Sequence, residues 1–99
     1  MRLIFRKDVR GHVFVVFPFE RYRDYDACMT FSVEGRGVIA YDCLYEYTYP
    51  AKPTADRKLL GYVMAWDDIE ILDDLPPIEQ VKAKKFDYVT DEKDEKESV

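Results

Sequence analysis

The side chains with the most reactive chemistry in this chain are one histidine and two cysteines. His12, Cys28 and Cys43 include a base and a nucleophile, but nucleophilic catalysis also needs a third group that orients the base. A structural metal site needs three or four closely spaced ligands, and the two cysteines are far apart along the chain. We therefore predict no enzymatic activity, no metal and no cofactor, and we expect both cysteines to be reduced and buried.

Two pairs of neighbouring carboxylates are the next candidates for chemistry. Asp67-Asp68 and Asp73-Asp74 could bind a divalent cation or act in acid–base catalysis, but they lack the regular ligand spacing of a calcium loop. A simpler interpretation is a solvated flank that pairs with the arginines near the N-terminus. A third hypothesis is an acidic ridge that imitates a phosphate backbone and occupies a basic groove on a nucleic-acid-binding protein.

Tyrosines are concentrated in one short stretch of the chain. Four of the eight tyrosines lie within residues 41–49, and tyrosine joins a large apolar ring to a polar tip. On a helix, Tyr41, Tyr45 and Tyr49 would share one stripe, so part of the cluster must pack on the rest of the fold. Tyr and Trp dominate the energetics of protein interfaces. We therefore predict an interface that includes Tyr41, Tyr45, Tyr49, Trp66, Asp67, Asp68, Asp73 and Asp74.

Composition and charge exclude several classes of function. The chain has 99 residues, 47% of them hydrophobic, with a net charge of −5. A negative chain without a basic stripe is poorly suited to binding nucleic acid directly. No apolar run is long enough to span a membrane, and charge follows the first apolar residues too soon for a signal peptide. A cytoplasmic protein is the resulting expectation.

The positions of these residues depend on an N-terminal set of strands. Alternation predicts strands over 2–7 and 27–33, the latter with one apolar face made by Met29, Phe31 and Val33. A β-branched and aromatic run predicts a strand over 12–17 that is covered on both faces and ended by Pro18. The connections between them are short, and this favours an antiparallel meander. The Gly35-Arg36-Gly37 segment is expected to break the pattern.

The tyrosine stretch itself has two interpretations. Ile39, Cys43 and Tyr47 recur at helical spacing, which favours a helix over 38–47, while the alternation of Tyr45, Tyr47 and Tyr49 favours a strand. We prefer the helix, ended by the prolines that follow.

Three further elements are predicted after the prolines. Thr54 is a suitable N-cap for a second helix over 55–64, and a short strand with acidic flanks follows at 68–72. Residues 85–89 could add an edge strand. The fold class is therefore α+β, with an antiparallel sheet of three to four strands, two short helices and a disordered C-terminal tail.

The domain limits follow from the same patterns. We expect residues 1–89 to form a single small α+β domain and residues 90–99 to form a charged flexible tail.

Several segments together resemble a family of small uncharacterised proteins from phages and integrated mobile elements of bacteria. The resemblance covers about three quarters of the chain. It rests on Ile4-Phe5-Arg6-Lys7, Val13 to Pro18, the Thr-x-Pro-Ala-x-Pro pattern at 48–53, and Ile69-Glu70-Ile71. Relatives usually carry a Gly-Gln-His-Gly-like segment after the third strand, where this chain has neither Gln nor His. The resemblance implies a genomic setting and no reaction.

Taken together, the residues favour a non-enzymatic accessory protein that acts through protein–protein binding. Its partner is an unknown protein, and self-association is one form that the interaction could take. The alternatives are an acidic nucleic-acid-mimic inhibitor of a host protein, and a small-molecule or nucleotide-binding protein with a pocket at Gly35–Gly37 under the tyrosines.

Overall fold

The computed structural model describes residues 1–81 and has an α+β fold. Within these residues six strands form a single mixed sheet that is antiparallel except for one pairing. The strands are β1 (Arg2–Lys7), β2 (Val13–Arg21), β3 (Ala27–Ser32), β4 (Gly35–Ala40), β5 (Tyr49–Pro50) and β6 (Glu70–Ile71). The helices are α1 (Tyr41–Tyr47) and α2 (Arg57–Met64), with a 3-10 turn at Pro53–Ala55 and a helical segment at 78–81.

The first four strands form an antiparallel meander, in which the first three strands were predicted and β4 was not. Ile4 pairs with Val16, Val16 with Thr30, and Thr30 with Gly37. The first connection is fixed by the Asp8 carboxylate, which accepts hydrogen bonds from the backbone N–H groups of Arg10 (2.8 Å) and His12 (3.0 Å). Such an Asx-type turn supplies the partners that the loop backbone would otherwise lack.

Strand β1 lies inside the sheet because two short strands divide its outer side between them. β5 pairs antiparallel with the C-terminal half, at Arg6 and Lys7. β6 pairs parallel with the N-terminal half, at Arg2 and Leu3. The strand order is β4-β3-β2-β1-β5, with β6 also on β1, so the outer side of β4 is the long edge of the sheet.

The alternation of the strands divides the core between the two faces of the sheet. One face, which we call the α2 face, packs Leu3, Phe5, Val15 and Phe17 against Leu59 and Val63 of α2. The other, the α1 face, packs Ile4, Val16 and Cys28 against Tyr41 and Leu44 of α1 and Val81 of the segment 78–81. Successive residues of a strand point to opposite faces, which is why β1 has three apolar residues in succession at 3–5 and β2 has seven at 13–19.

The sheet is larger than the three to four strands predicted, chiefly because Gly35–Gly37 begins β4 instead of breaking the pattern. Gly35 has φ +129 and completes the tight hairpin after Ser32, a conformation that favours glycine. At Gly37 a Cβ atom would lie 2.9 Å from Thr30 Oγ1, so glycine permits the close pairing of the two strands.

Pro18 lies within β2, although it was predicted to end that strand. The register between β2 and β3 shifts between Phe17 and Arg21. A bulge of this kind tolerates a residue that has no N–H to donate.

The two helices start later than predicted. The first begins at Tyr41, so the helical interpretation holds for 41–47 and residues 38–40 belong to β4. The second begins after Asp56, whose carboxylate accepts a hydrogen bond from the Leu59 N–H at 3.0 Å, so Asp56 is the N-cap instead of Thr54. The strand predicted at 68–72 is the shorter β6.

The predicted edge strand at 85–89, the domain limit after residue 89 and the tail at 90–99 lie outside the described residues. In residues 1–81, no helix is long and apolar enough to cross a membrane.

Candidate functional site

The predicted tyrosine interface is divided between the core and the surface. Tyr41 is fully buried, and its hydroxyl donates to the Pro18 carbonyl at 2.7 Å. Tyr45 is half-buried and donates to the Pro76 carbonyl. The predicted common stripe with Tyr49 is wrong, because α1 ends at Tyr47 and Tyr49 lies in β5 with 46% of its surface exposed.

The buried hydroxyls on the α1 face stay protonated. Burial raises the pKa of Tyr41 to about 12, and the nearby Arg21 guanidinium opposes part of that rise. Burial also raises the pKa of Tyr45. Both hydroxyls are therefore hydrogen-bond donors that hold the structure together, and neither is a reactive phenolate.

The four predicted aspartates flank β6 and are exposed: Asp67, Asp68, Asp73 and Asp74. In the described part of the chain none of them forms a direct ion pair with the N-terminal arginines, although the charge of Asp74 acts on Arg6 at longer range. The Arg2 guanidinium stacks on the Phe19 ring at 3.7 Å, and a carboxylate oxygen of Asp8 lies 3.5 Å from Nδ1 of His12. The acidic residues thus keep their charge available to solvent or to a partner.

Arg6 is tied to the end of α1 instead. Its guanidinium donates to Thr48 Oγ1 (2.9 Å) and to the Thr48 carbonyl (2.8 Å), and Thr48 Oγ1 donates to the Leu44 carbonyl (2.6 Å). Burial lowers the pKa of Arg6, and the negative charge of Asp74 partly offsets this. The hydrogen bonds among Arg6, Thr48 and Leu44 join β1 to the C-terminus of α1, where unpaired carbonyls need donors.

Arg21 provides a second buried guanidinium on the same face, in a different situation. Its carbon Cζ lies 5.5 Å from the centre of the Tyr41 ring. All three of its nitrogens are inaccessible to solvent and have no hydrogen-bond acceptor of good geometry among residues 1–81; the Tyr41 hydroxyl is only a marginal acceptor for them. A buried cation without an acceptor lowers stability.

The α2 face carries an open groove with a largely apolar lining. This groove, of about 490 Å³, lies between α2 and the strands β2 to β4. It is lined mainly by apolar and aromatic side chains, with three charged residues at its rim: Met1, Phe17, Glu20, Met29, Thr30, Phe31, Arg36, Tyr62, Trp66, Asp67 and Ile69.

A cluster of four aromatic rings forms the floor and one wall of this groove. The Trp66 ring lies 5.1 Å from the ring of Phe31, edge to face, and 6.0 Å from that of Phe17. Tyr62 meets Phe31 edge to face at 6.0 Å. These distances are those of favourable aromatic pairs, so the cluster is preorganised while Tyr62 stays 43% exposed.

The groove exists because α2 covers only part of its face. The helix has eight residues, about 12 Å of length, and its buried residues Leu59 and Val63 pack on β1 and β2. Met29 and Phe31 of β3 are therefore only partly buried, and Val38 of β4 is 45% exposed. Apolar sheet surface is therefore left uncovered beside the helix, and this makes the groove a candidate binding site.

Sequence reasoning found two residues of this groove and missed the others. Trp66 and Asp67 belong to the predicted interface. Phe31 and Met29 were recognised only as the apolar face of the third strand, and Tyr62 was not singled out although it lies beside Val63 on a half-covered helix. The alternation in β3 was the available signal, but it does not say which face a helix leaves open.

Two other cavities are weaker candidates for a binding site. One of about 620 Å³ lies at the Gly35–Gly37 hairpin and reaches Asp8 and His12. A cavity therefore lies at the predicted turn, but no tyrosine lines it. Another of about 480 Å³ lies between α1 and the sheet, with Phe14 and Tyr47 in its lining.

The cysteines and the histidine do not come together. Cys28 is buried, and burial raises its pKa to about 12. Cys43 is exposed, contrary to the expectation that both thiols are buried, and His12 lies on the exposed first turn. Among residues 1–81, no group of three or more His, Cys, Asp or Glu side chains could hold a metal ion.

Comparison with protein-family models, with curated proteins and with solved structures finds no match for this chain.

Proposed function

We propose that this protein is a non-enzymatic binding protein whose aromatic groove on the α2 face holds apolar side chains of a protein partner. The observation that supports the proposal is the uncovered sheet surface between Trp66 and β4, with its aromatic floor already in place. An accessory role in a phage or mobile element, which the sequence resemblance implies, is compatible with such a protein.

The composition of the groove favours a protein partner. Interfaces are enriched in Trp, Tyr, Phe, Met and Arg and have apolar centres with polar rims. The groove has Trp66, Phe31 and Met29 at its centre, and Glu20, Arg36 and Asp67 at its rim. It contains no cysteine or histidine that could act as a nucleophile or base.

The proposal moves the interface from the tyrosines of α1 to the opposite face of the sheet. The hydroxyl groups of Tyr41 and Tyr45 are hydrogen-bonded to internal carbonyls, whereas the rings of Tyr62 and Trp66 pack edge to face on the ring of Phe31. Side chains that are held by their neighbours and still reach solvent are those that act as binding hot spots.

Selection of peptides on the full-length protein tests this function. A display library of random linear dodecapeptides is the probe, and enriched sequences are synthesised for affinity measurement by calorimetry. We expect Tyr62→Ala to weaken binding about 30-fold, the effect of losing a hot-spot side chain of about 2 kcal/mol.

The matched control is Tyr47→Ala, which removes a tyrosine of similar exposure from α1 on the other face. It should leave the affinity unchanged. The proposed function is wrong if no peptide is enriched, or if the enriched peptides bind Tyr62→Ala as well as they bind the wild type.

A further inference from the structure

We infer that the partner enters as an extended strand that pairs with the outer edge of β4, with alternate side chains in the groove. This inference rests on the proposed function and specifies the conformation of the partner. It follows from the backbone of β4, which was not part of the sequence-predicted interface.

The free edge of β4 can be assigned residue by residue. The Tyr41 N–H donates to the Asp26 carbonyl at 3.0 Å, which places a hydrogen-bonded pair one step beyond the Ala27–Ala40 pair. Hydrogen-bonded and non-hydrogen-bonded pairs alternate in an antiparallel ladder. Arg36, Val38 and Ala40 therefore direct their N–H and C=O groups away from β3, and no strand among residues 1–81 pairs with them.

The side chains of the same β4 residues lie on the groove side. Arg36 is opposite Phe31 and Val38 is opposite Met29, and directly opposed residues point to the same face. Phe31 and Met29 pack on the α2 face. A strand added beside β4 would therefore present every second side chain to this face.

The distances suit such an arrangement. Neighbouring strands are about 4.8 Å apart, so an added strand lies about 10 Å from β3. Aromatic and long aliphatic side chains reach diagonal neighbours across such a ladder. They would cover Val38, which is 45% exposed, and approach Tyr62 at the open side of the groove.

The edge of β4 lacks most of the features that protect sheet edges. Natural edges are blunted by short strands, prolines, bulges or lysines. β5 is two residues long and contains Pro50, whereas β4 has six residues in unbroken register with β3 and a single charge, Arg36. An unprotected edge beside an apolar groove is the arrangement in which a peptide binds by strand addition.

The chemistry of the partner follows from these contacts. It is an extended segment with large apolar side chains at alternate positions, because only every second residue faces the groove. An acidic residue opposite Arg36 would form a favourable cross-strand pair.

Backbone N-methylation of the groove-binding peptides tests the inference. Each methyl group removes one donor and keeps the side chain. For strand addition, we expect methylation to lower the affinity at least about tenfold at alternate positions and less than about twofold at the positions between them, because only alternate N–H groups face β4. Uniform loss across the peptide, or loss at no position, overturns strand addition.

The two failures are distinguishable. If the affinity of a peptide depends on Tyr62 but its N-methylation series shows no two-residue period, the proposed function stands and strand addition is rejected. Failure to obtain any peptide that depends on Tyr62 rejects the function, and this inference with it.

Amide hydrogen exchange on the full-length protein gives an independent readout. The N–H groups of Arg36, Val38 and Ala40 should exchange rapidly in the free protein and slow at least about tenfold when the peptide is saturating. Those of Gly37 and Ile39 already pair with β3 and serve as controls. Protection of the first three amides in the free protein would show that the edge is already occupied, and would overturn the inference.

Discussion

The two faces of the sheet bury similar apolar residues but differ in how completely they are covered. On the α1 face, α1 and the segment 78–81 cover β1 to β3, and polar groups of that face are bonded to the sheet through Tyr41, Arg6 and Thr48. On the α2 face, a single short helix covers β1 and β2 and leaves an aromatic groove beside β4.

This difference indicates a division of roles within a small fold. The α1 face has hydrogen bonds that require one particular arrangement of helix and sheet, so it should contribute most to stability. On the α2 face the aromatic rings contact one another but little of the described structure covers them, so this face should contribute to binding. Uncovered apolar area lowers the stability a domain could reach, which is a common cost of a functional surface.

The largest expected contrast comes from truncating one apolar side chain on each face. Leu44→Ala removes a fully buried side chain of α1 and should lower the free energy of unfolding by about 2–5 kcal/mol. Val38→Ala, at the open edge, should cost less than about 1 kcal/mol. Urea denaturation of both variants gives the two values, and equal losses would contradict the division between the faces.

The two buried guanidinium groups provide a contrast within the α1 face. Arg6→Met removes two hydrogen bonds to Thr48 and should lower the unfolding free energy by about 2–3 kcal/mol. Arg21→Met replaces a cation that has no acceptor of good geometry among residues 1–81 and should change stability by less than about 1 kcal/mol, or raise it.

Thermal and urea unfolding measure both arginine variants. If Arg21→Met is as destabilising as Arg6→Met, then Arg21 has a stabilising partner, and the view of its guanidinium as unsatisfied is wrong.

The smallest contrast concerns single hydroxyl groups. Tyr41→Phe leaves the buried Pro18 carbonyl without its donor and should cost about 1–2 kcal/mol. Tyr62→Phe removes a hydroxyl from a half-exposed ring in the groove and should change stability by less than about 0.5 kcal/mol. Chemical denaturation with several replicates resolves this difference, and a larger effect at Tyr62 would show that the groove is more tightly closed than its exposure indicates.

The sequence predicts the elements whose patterns are local. Strands β1 and β3 follow from alternation. β4 was missed because Gly35 and Gly37 carry no side chains to alternate, while Ile39, Cys43 and Tyr47 imitate a helix that starts earlier. β5 and β6 are each two residues long and exist only because β1 offers them an edge, which is a tertiary effect.

The candidate site was predictable only in part, for a related reason. The sequence itself indicated Trp66 and Asp67, because one is aromatic and the other is acidic. The role of Phe31 and Tyr62 depends on where an eight-residue helix ends relative to a sheet wider than expected. No local pattern encodes that offset between helix and sheet.

The division of the outer side of β1 between β5 and β6 has a consequence for the order of folding. The meander of β1 to β4 closes through short connections, so it can form early. β5 and β6 return from much later in the chain and pair with β1 only after longer loops have closed. Until then, β1, with its apolar residues 3–5, is itself an open edge, so we expect aggregation during refolding to start from β1 and to slow once both short strands have docked.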